Sequence, residues 1–227
     1  MAGSGKFLRT DYGPGAGFGS RRRPVDAATI EVGMSWGRRE IEIKLRVPNA
    51  VAARALLGRA GFRLAKRRVL ESNAVFDTAD RRLRARGELL RLRQAGGQTI
   101  LTYKGRCAPG KHKSREELET HLADAGAARS ILERLGLEVS FLYQKHRTEY
   151  GRPGERGMAS VDETPIGVFI ELEGSPAWID RIAAKLGFGE PAYITASYGS
   201  LYFSWCQERG IVPSHMVFPD TGSSTEV

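Results

Sequence analysis

From Glu40 to Val47 the chain reads Glu-Ile-Glu-Ile-Lys-Leu-Arg-Val, so an extended strand would carry every apolar side chain on one face and every charged one on the other. A helix cannot sort these residues into two faces. The ionic face holds two acids two residues apart, followed by two bases. Acids at that spacing can share a metal ion, and bases beside them can hold phosphate. A solvated sheet face is the ordinary reading of one such strand, but the device recurs. Arg91 and Arg93 share a parity, and Ile100-Leu101-Thr102-Tyr103 ends in Lys104. Arg115, Glu117, Glu119 and His121 alternate with Glu116, Leu118, Thr120 and Leu122. Lys145, Arg147 and Glu149 share a side, and Glu171 and Glu173 lie opposite Val168, Ile170 and Leu172.

The same reading along the whole chain predicts strands over 39–47, 66–77, 88–95, 98–105, 113–122, 141–151, 157–163 and 167–174, joined by turns such as Ala95-Gly96-Gly97. Helices are expected after Pro48, near 79–86, and over 124–135, 176–187 and 198–209. The fold class is therefore α+β: an eight-stranded antiparallel β-barrel. Closure removes the free edges and turns the charged face into a lumen, with the apolar face outside and covered by helices. Charge buried on that scale must be wet, paired, or matched by a bound anion and metals. A tunnel for a polyanion follows.

At 227 residues the chain suits one domain, expected over 38–210. Residues 1–37, rich in glycine and carrying Arg21-Arg22-Arg23, read as a disordered leader, with Met34 an alternative start; 211–227 read as a flexible tail. A net charge of +9 points to an anionic partner. The bases are interleaved with glutamates instead of massed on one helix, which favours a compact, multiply charged ligand over a nucleic-acid backbone. No stable nucleic-acid partner and no membrane segment are expected, and a homodimer is left open. Cys107 and Cys206 have no metal-ligand spacing, so reduced thiols and a cytoplasmic location are the expectation.

Taken in order, Glu40-x-Glu42-x-Lys44, Val75-Phe76-Asp77-Thr78, Leu90-Arg91-Leu92-Arg93, Leu101-Thr102-Tyr103-Lys104-Gly105, Lys145-x-Arg147, Asp162-Glu163 and Ile170-Glu171-Leu172-Glu173 resemble the CYTH family, the triphosphate tunnel metalloenzymes. The resemblance runs from about residue 38 to 203. It implies an antiparallel tunnel that binds ATP or another triphosphate with Mg²⁺ or Mn²⁺. By motif, Glu40, Glu42, Asp162, Glu171 and Glu173 would bind metal. Arg91, Arg93, Lys104, Arg115, Lys145 and Arg147 would bind phosphate, although for Arg115 a structural pair with Glu117 or Glu119 remains open. Lys44, with Glu40 and Glu42, would take part in catalysis; it could deprotonate a nucleophile or act through its charge alone. Hard oxygen ligands suit these cations independently of the resemblance. Tyr198, Leu201, Tyr202 and Trp205 read first as a docking helix face.

The family's machinery serves two reactions: class IV adenylyl cyclisation, in which the ribose 3′ hydroxyl attacks the α-phosphorus of ATP, and hydrolysis of tripolyphosphate, thiamine triphosphate or a nucleotide. The 101–119 and 162–171 segments look most like the cyclase branch. A binding module for polyphosphate, nucleotide or an RNA 5′ end is the non-catalytic alternative.

Overall fold

Alternation becomes strand at every predicted place in the computed structural model, which describes residues 38–219. The expectations for the leader and for residues 220–227 lie outside the described residues. The strands are β1 (Arg38–Val47), β2 (Arg63–Asp77), β3 (Leu89–Ala95), β4 (Gln98–Lys104), β5 (Lys113–Leu122), β6 (Glu138–Gly151), β7 (Met158–Thr164) and β8 (Gly167–Glu173). They pair antiparallel in the order β1-β5-β4-β3-β2-β6-β7-β8 and close into a barrel. Gly96 and Gly97, at φ 55 and 78, make the two-residue turn between β3 and β4, a conformation that needs positive φ at both positions.

Among the described residues five α-helices accompany the strands: α1 (Ala50–Arg59), α2 (Arg82–Ala85), α3 (Ala125–Arg134), α4 (Pro176–Lys185) and α5 (Tyr198–Glu208). Side-chain oxygens of Asn49, Asp124, Ser175 and Ser197 cap α1, α3, α4 and α5 by accepting from backbone N–H groups of the first turn. The apolar parity of β1 faces outward: Ile43, Leu45 and Val47 pack with Ala53 and Leu57 of α1 and with Trp178, Ile179 and Ile182 of α4. Phe76 and Leu92 pack with Leu132 of α3. The core thus lies outside the barrel wall, and burial of these side chains leaves the inner face free to be ionic.

α5 is placed differently. The segment before it closes onto the edge of β1 through reciprocal backbone bonds between Lys44 and Ile194, both 2.9 Å. This delivers Tyr198 and Tyr202 against Phe141, Tyr143 and Phe169, which share the lumenal parity of β6 and β8. Cys206 is fully buried among them, as a small hydrophobe would be. Residues 211–219, expected as part of a flexible tail, make specific contacts. Met216 is buried, its N–H donates to the Leu142 carbonyl at 3.0 Å, and Gln144 N–H donates to its carbonyl at 2.8 Å. These bonds occupy a stretch of the β6 edge that β7 leaves unpaired. No helix among the described residues is long and apolar enough to cross a membrane.

Candidate active site

The inner face of the barrel is an ion-pair ladder surrounding a cavity of about 610 Å³, a volume suited to a nucleotide-sized ligand. On β1, the Glu40 carboxylate accepts from Lys104 Nζ at 2.6 and 2.7 Å and from Arg115 Nε at 3.3 Å. Glu42 accepts from Lys44 at 2.9 Å and from Lys113. Glu171 accepts from Arg147 at 2.6 Å, and Lys44 lies 3.3 Å from it. Arg115 therefore pairs with Glu40, not with Glu117 or Glu119. Around the wall, Arg93 donates to Asn73 at 2.8 Å and lies 3.3 Å from Glu71, while Arg91 donates to Thr102 at 3.1 Å and to the Tyr143 hydroxyl at 3.3 Å.

Asp162 is held apart from the other acids. Fully buried, it accepts from Lys145 at 2.8 Å, from both ends of the Arg147 guanidinium at 2.8 and 2.7 Å, and from Tyr198 Oη at 2.7 Å. With that many donors its oxygens are committed, and burial leaves a cation no approach. We therefore revise its expected place among the metal ligands: Asp162 is the anchor that aims Lys145 and Arg147.

Glu173 is the opposite case. It stands directly across the β1–β8 pair from Glu42, an arrangement of like charges that destabilises a sheet. Among the described residues no base lies within salt-bridge range of it. Enclosure by the protein, followed by the repulsion of Glu40, Glu171 and Glu42, pushes its pKa up to about 7. Its side chain remains exposed to solvent.

The remaining titrations follow from the ladder. Burial opposes ionisation of Glu42, but Lys44, Lys113 and Lys104 outweigh it and hold the carboxyl well below its usual range. Burial also disfavours charge on Lys44, yet Glu42 and Glu171 beside it raise its pKa overall. Its ammonium stays protonated, so of the two roles left open for Lys44 the geometry favours charge over proton abstraction. At Glu71, Lys145, Arg147 and Arg93 overcome burial and bring the pKa down to about 2. Tyr143 is unusual: burial raises it, but Arg91, Arg93 and Lys145 bring it down to about 7.

The structure brings every predicted site residue to the inner face. It adds Glu71, Asn73, Lys113, Glu117, Tyr143 and Tyr198, which the sequence reading did not assign. Lys113 and Tyr143 share parity with assigned neighbours on β5 and β6, and carrying the alternation one step further would have found them, while Glu117 is read on the charged face without a role. Glu71 gave no such signal, because polar Ser72 beside it breaks the period. Tyr198 both docks α5, as expected, and reaches the lumen through its hydroxyl.

A closed antiparallel barrel whose inner wall is lined with paired acids and bases defines a class of polyanion-binding tunnel. A family model described as the CYTH domain matches residues 38–194, and the chain belongs to the CYTH family. A curated relative from Methanocaldococcus jannaschii, provisionally named an adenylate cyclase, is 33% identical over 137 residues, covering 60% of this chain and 77% of its own. Among solved structures, a Vibrio parahaemolyticus protein, also provisionally named an adenylate cyclase, superposes with a TM-score of 0.62 at 23% identity, covering 73% of this chain and 98% of its own. A Hippeastrum protein, provisionally named an adenylyl cyclase and described as having a dominant triphosphatase activity, superposes with a TM-score of 0.55 at 22% identity over 77% of this chain and 97% of its own.

Proposed function

We propose that this protein is a divalent-metal-dependent adenylyl cyclase of the class IV type, which converts ATP to cyclic AMP and pyrophosphate inside the tunnel. One observation carries the reading: a single cavity sets Arg91, Arg93, Lys145 and Arg147 against Glu40, Glu42 and Glu171, which are paired with bases, and Glu173, which among the described residues has no base in salt-bridge range. The bases fit phosphate oxygens, arginine as a planar fork and lysine as a point charge. Anchored on Asp162, Lys145 and Arg147 would fix the register of the triphosphate, and that register decides which phosphorus lies in line with an attacking oxygen.

The acids fit a hard cation. Among the described residues no three acid, histidine or cysteine side chains form a ready-made metal cage, an arrangement compatible with Mg²⁺, which keeps several waters and uses one or two carboxylates together with substrate phosphates. One or two of Glu40, Glu42, Glu171 and Glu173 would hold it together with the substrate phosphates. When bound, the ion supplies positive charge that offsets charge developing on the phosphate oxygens. Lys44 stays protonated beside Glu42 and Glu171 and adds fixed positive charge at the same place. In the cyclase reaction the ribose 3′ oxygen bonds to the α-phosphorus, the bridging bond to the β-phosphate breaks, the 3′ proton passes to solvent, and pyrophosphate leaves.

The name of the curated relative supports cyclisation. A second reading, hydrolysis of the triphosphate, is favoured by the Hippeastrum protein, which shares the fold and the provisional cyclase name and is described as having a dominant triphosphatase activity. Product analysis separates the two. ATP, tripolyphosphate and thiamine triphosphate are each incubated with the protein and Mg²⁺ or Mn²⁺, with a chelator control. Cyclic AMP with pyrophosphate establishes the cyclase; orthophosphate released from any substrate, without cyclic AMP, replaces it with the hydrolase; metal-independent turnover removes the metal assignment.

A further inference from the structure

Outside the tunnel the chain's charge is uneven. Pro48 to Leu70 carries six bases and no acid, whereas the lumenal strands interleave the two. Four of the six, Arg63, Lys66, Arg67 and Arg68, stand on the first half of β2, where every residue from Arg63 to Arg68 is exposed. Lys66 lies 3.7 Å from Glu149, and Arg68 donates to Glu163 at 2.8 Å. Among the described residues Arg63 and Arg67 have no acid in salt-bridge range. Leu64 and Leu70 are exposed in the same stretch.

This basic stretch is also a sheet edge. β6 pairs with β2 from Arg63 onward, but β3 pairs with it only from Glu71 to Phe76. The β3–β4 turn ends beside Val69, where a Cβ on Gly96 would stand 3.9 Å from that side chain. From Arg63 to Arg68, no strand among the described residues lies along the side of β2 away from β6, and the backbone donors and acceptors on that side are open to a partner. The register slips between Leu64 and Lys66 and again between Lys66 and Val69. Bulges and bases on an edge keep like edges from pairing. A second copy's β2 laid antiparallel here would set cations against cations. The same charges favour an acidic strand. A lipid headgroup or a phosphate backbone could meet the bases, but only an extended peptide also satisfies the row of N–H and C=O groups.

We propose that the β2 edge from Arg63 to Arg68 docks an acidic, extended segment of a partner protein, which adds as a further strand in line with β3 and sets its carboxylates against Arg63 and Arg67. Backbone bonds hold the segment, and charge selects it. The probe is a fluorescent peptide of about eight residues alternating Glu and Val, a typical strand length or a little more, titrated with the full chain and followed by anisotropy. Two N-methylated forms of the peptide each block one alternate set of amides. Successive amides of a strand point to opposite edges, so one form should lose binding and the other keep it. In R63E/R67E the cations become like charges of the peptide, and affinity should fall by about tenfold or more. Neither arginine lines the tunnel, so that loss separates the edge from the lumenal bases. A peptide that does not bind overturns the proposal, as does equal affinity for the two N-methylated forms or wild-type affinity in R63E/R67E. Phosphatidylserine vesicles or a single-stranded oligonucleotide binding more tightly than the peptide, and losing that binding in R63E/R67E, would reassign the edge to a membrane or a nucleic acid. Self-association in sedimentation that disappears in the same variant would assign it to a second copy of the chain.

Discussion

Tyr143 and Glu173 occupy the lumen as the two groups whose charge changes near neutrality, for opposite reasons. Tyr143 is surrounded by cations, so its phenolate forms as pH rises through about 7. A bound triphosphate adds negative charge beside Arg91 and Arg93 and should push that ionisation back up. The expected observation is a phenolate absorbance step near neutrality that disappears in Y143F and moves to higher pH on adding ligand. A step unchanged in Y143F would place the titration elsewhere. Glu173 keeps its proton up to about pH 7 because acids surround it. A cation must displace that proton at lower pH, so Mn²⁺ affinity should fall on acidification by up to about tenfold per pH unit below neutrality and level off above it. In E173Q the affinity should be weaker and the pH dependence flat; a wild-type pH profile in that variant would exclude Glu173 as a cation ligand.

Elements were legible where one chemical period ran unbroken. β1 from Glu40 to Val47 and β8 from Ile170 to Glu173 alternate strictly, and each carries its charges inward and its apolar residues toward the helices as read, whereas β5 keeps Lys113, Arg115 and Glu117 inward but sets Glu116 on its outer face. β2 was legible as a strand but not as part of the site, because Glu71, Ser72 and Asn73 are consecutive polar residues and parity alone cannot say which of them face in. α5 carries two duties on overlapping residues, and the apolar period hid the hydroxyl of Tyr198. The packing of residues 211–218 on the β6 edge left no trace in the sequence, since it depends on β7 pairing with only part of β6. Asp77 shows the same limit. It reads as one residue of a strand end, whereas its carboxylate satisfies the backbone of the following loop and α2. Replacing it with Ala orphans those N–H groups and should cost about 1–3 kcal/mol of stability, measured by denaturant titration. Hydrogen exchange should rise first in the loop that carries Arg81 and Arg84. A fall in stability with unchanged exchange there would mean that the carboxylate does not organise the loop.

On the scale of the whole molecule, the tunnel interleaves acids with bases on its inner wall, and this pairing governs how it can bind. Glu40 and Glu171 already hold Lys104, Arg115 and Arg147, bases that would meet phosphate. An anion entering alone must compete with these carboxylates for the same guanidinium and ammonium groups, and it frees acids with nothing to neutralise them. A divalent cation entering alone repels the bases it displaces. Entering together, each relieves the strain that the other creates: the phosphates take the bases and the cation takes the released acids. Binding of the two should therefore be positively coupled, and the coupling must be the same from either side. Triphosphate affinity should rise by roughly 5–150-fold when Mg²⁺ or Mn²⁺ is present, and metal affinity should rise by that same factor with triphosphate. Calorimetry in both orders of addition, corrected for the metal–ligand complex formed in solution, measures both arms of the cycle. Thermal unfolding supplies an independent check, with the pair stabilising the fold beyond the sum of the separate shifts. Additive shifts would show that the acids keep their bases when a ligand is bound. The ladder would then be a structural wall, and the cation would have to be carried entirely by the substrate.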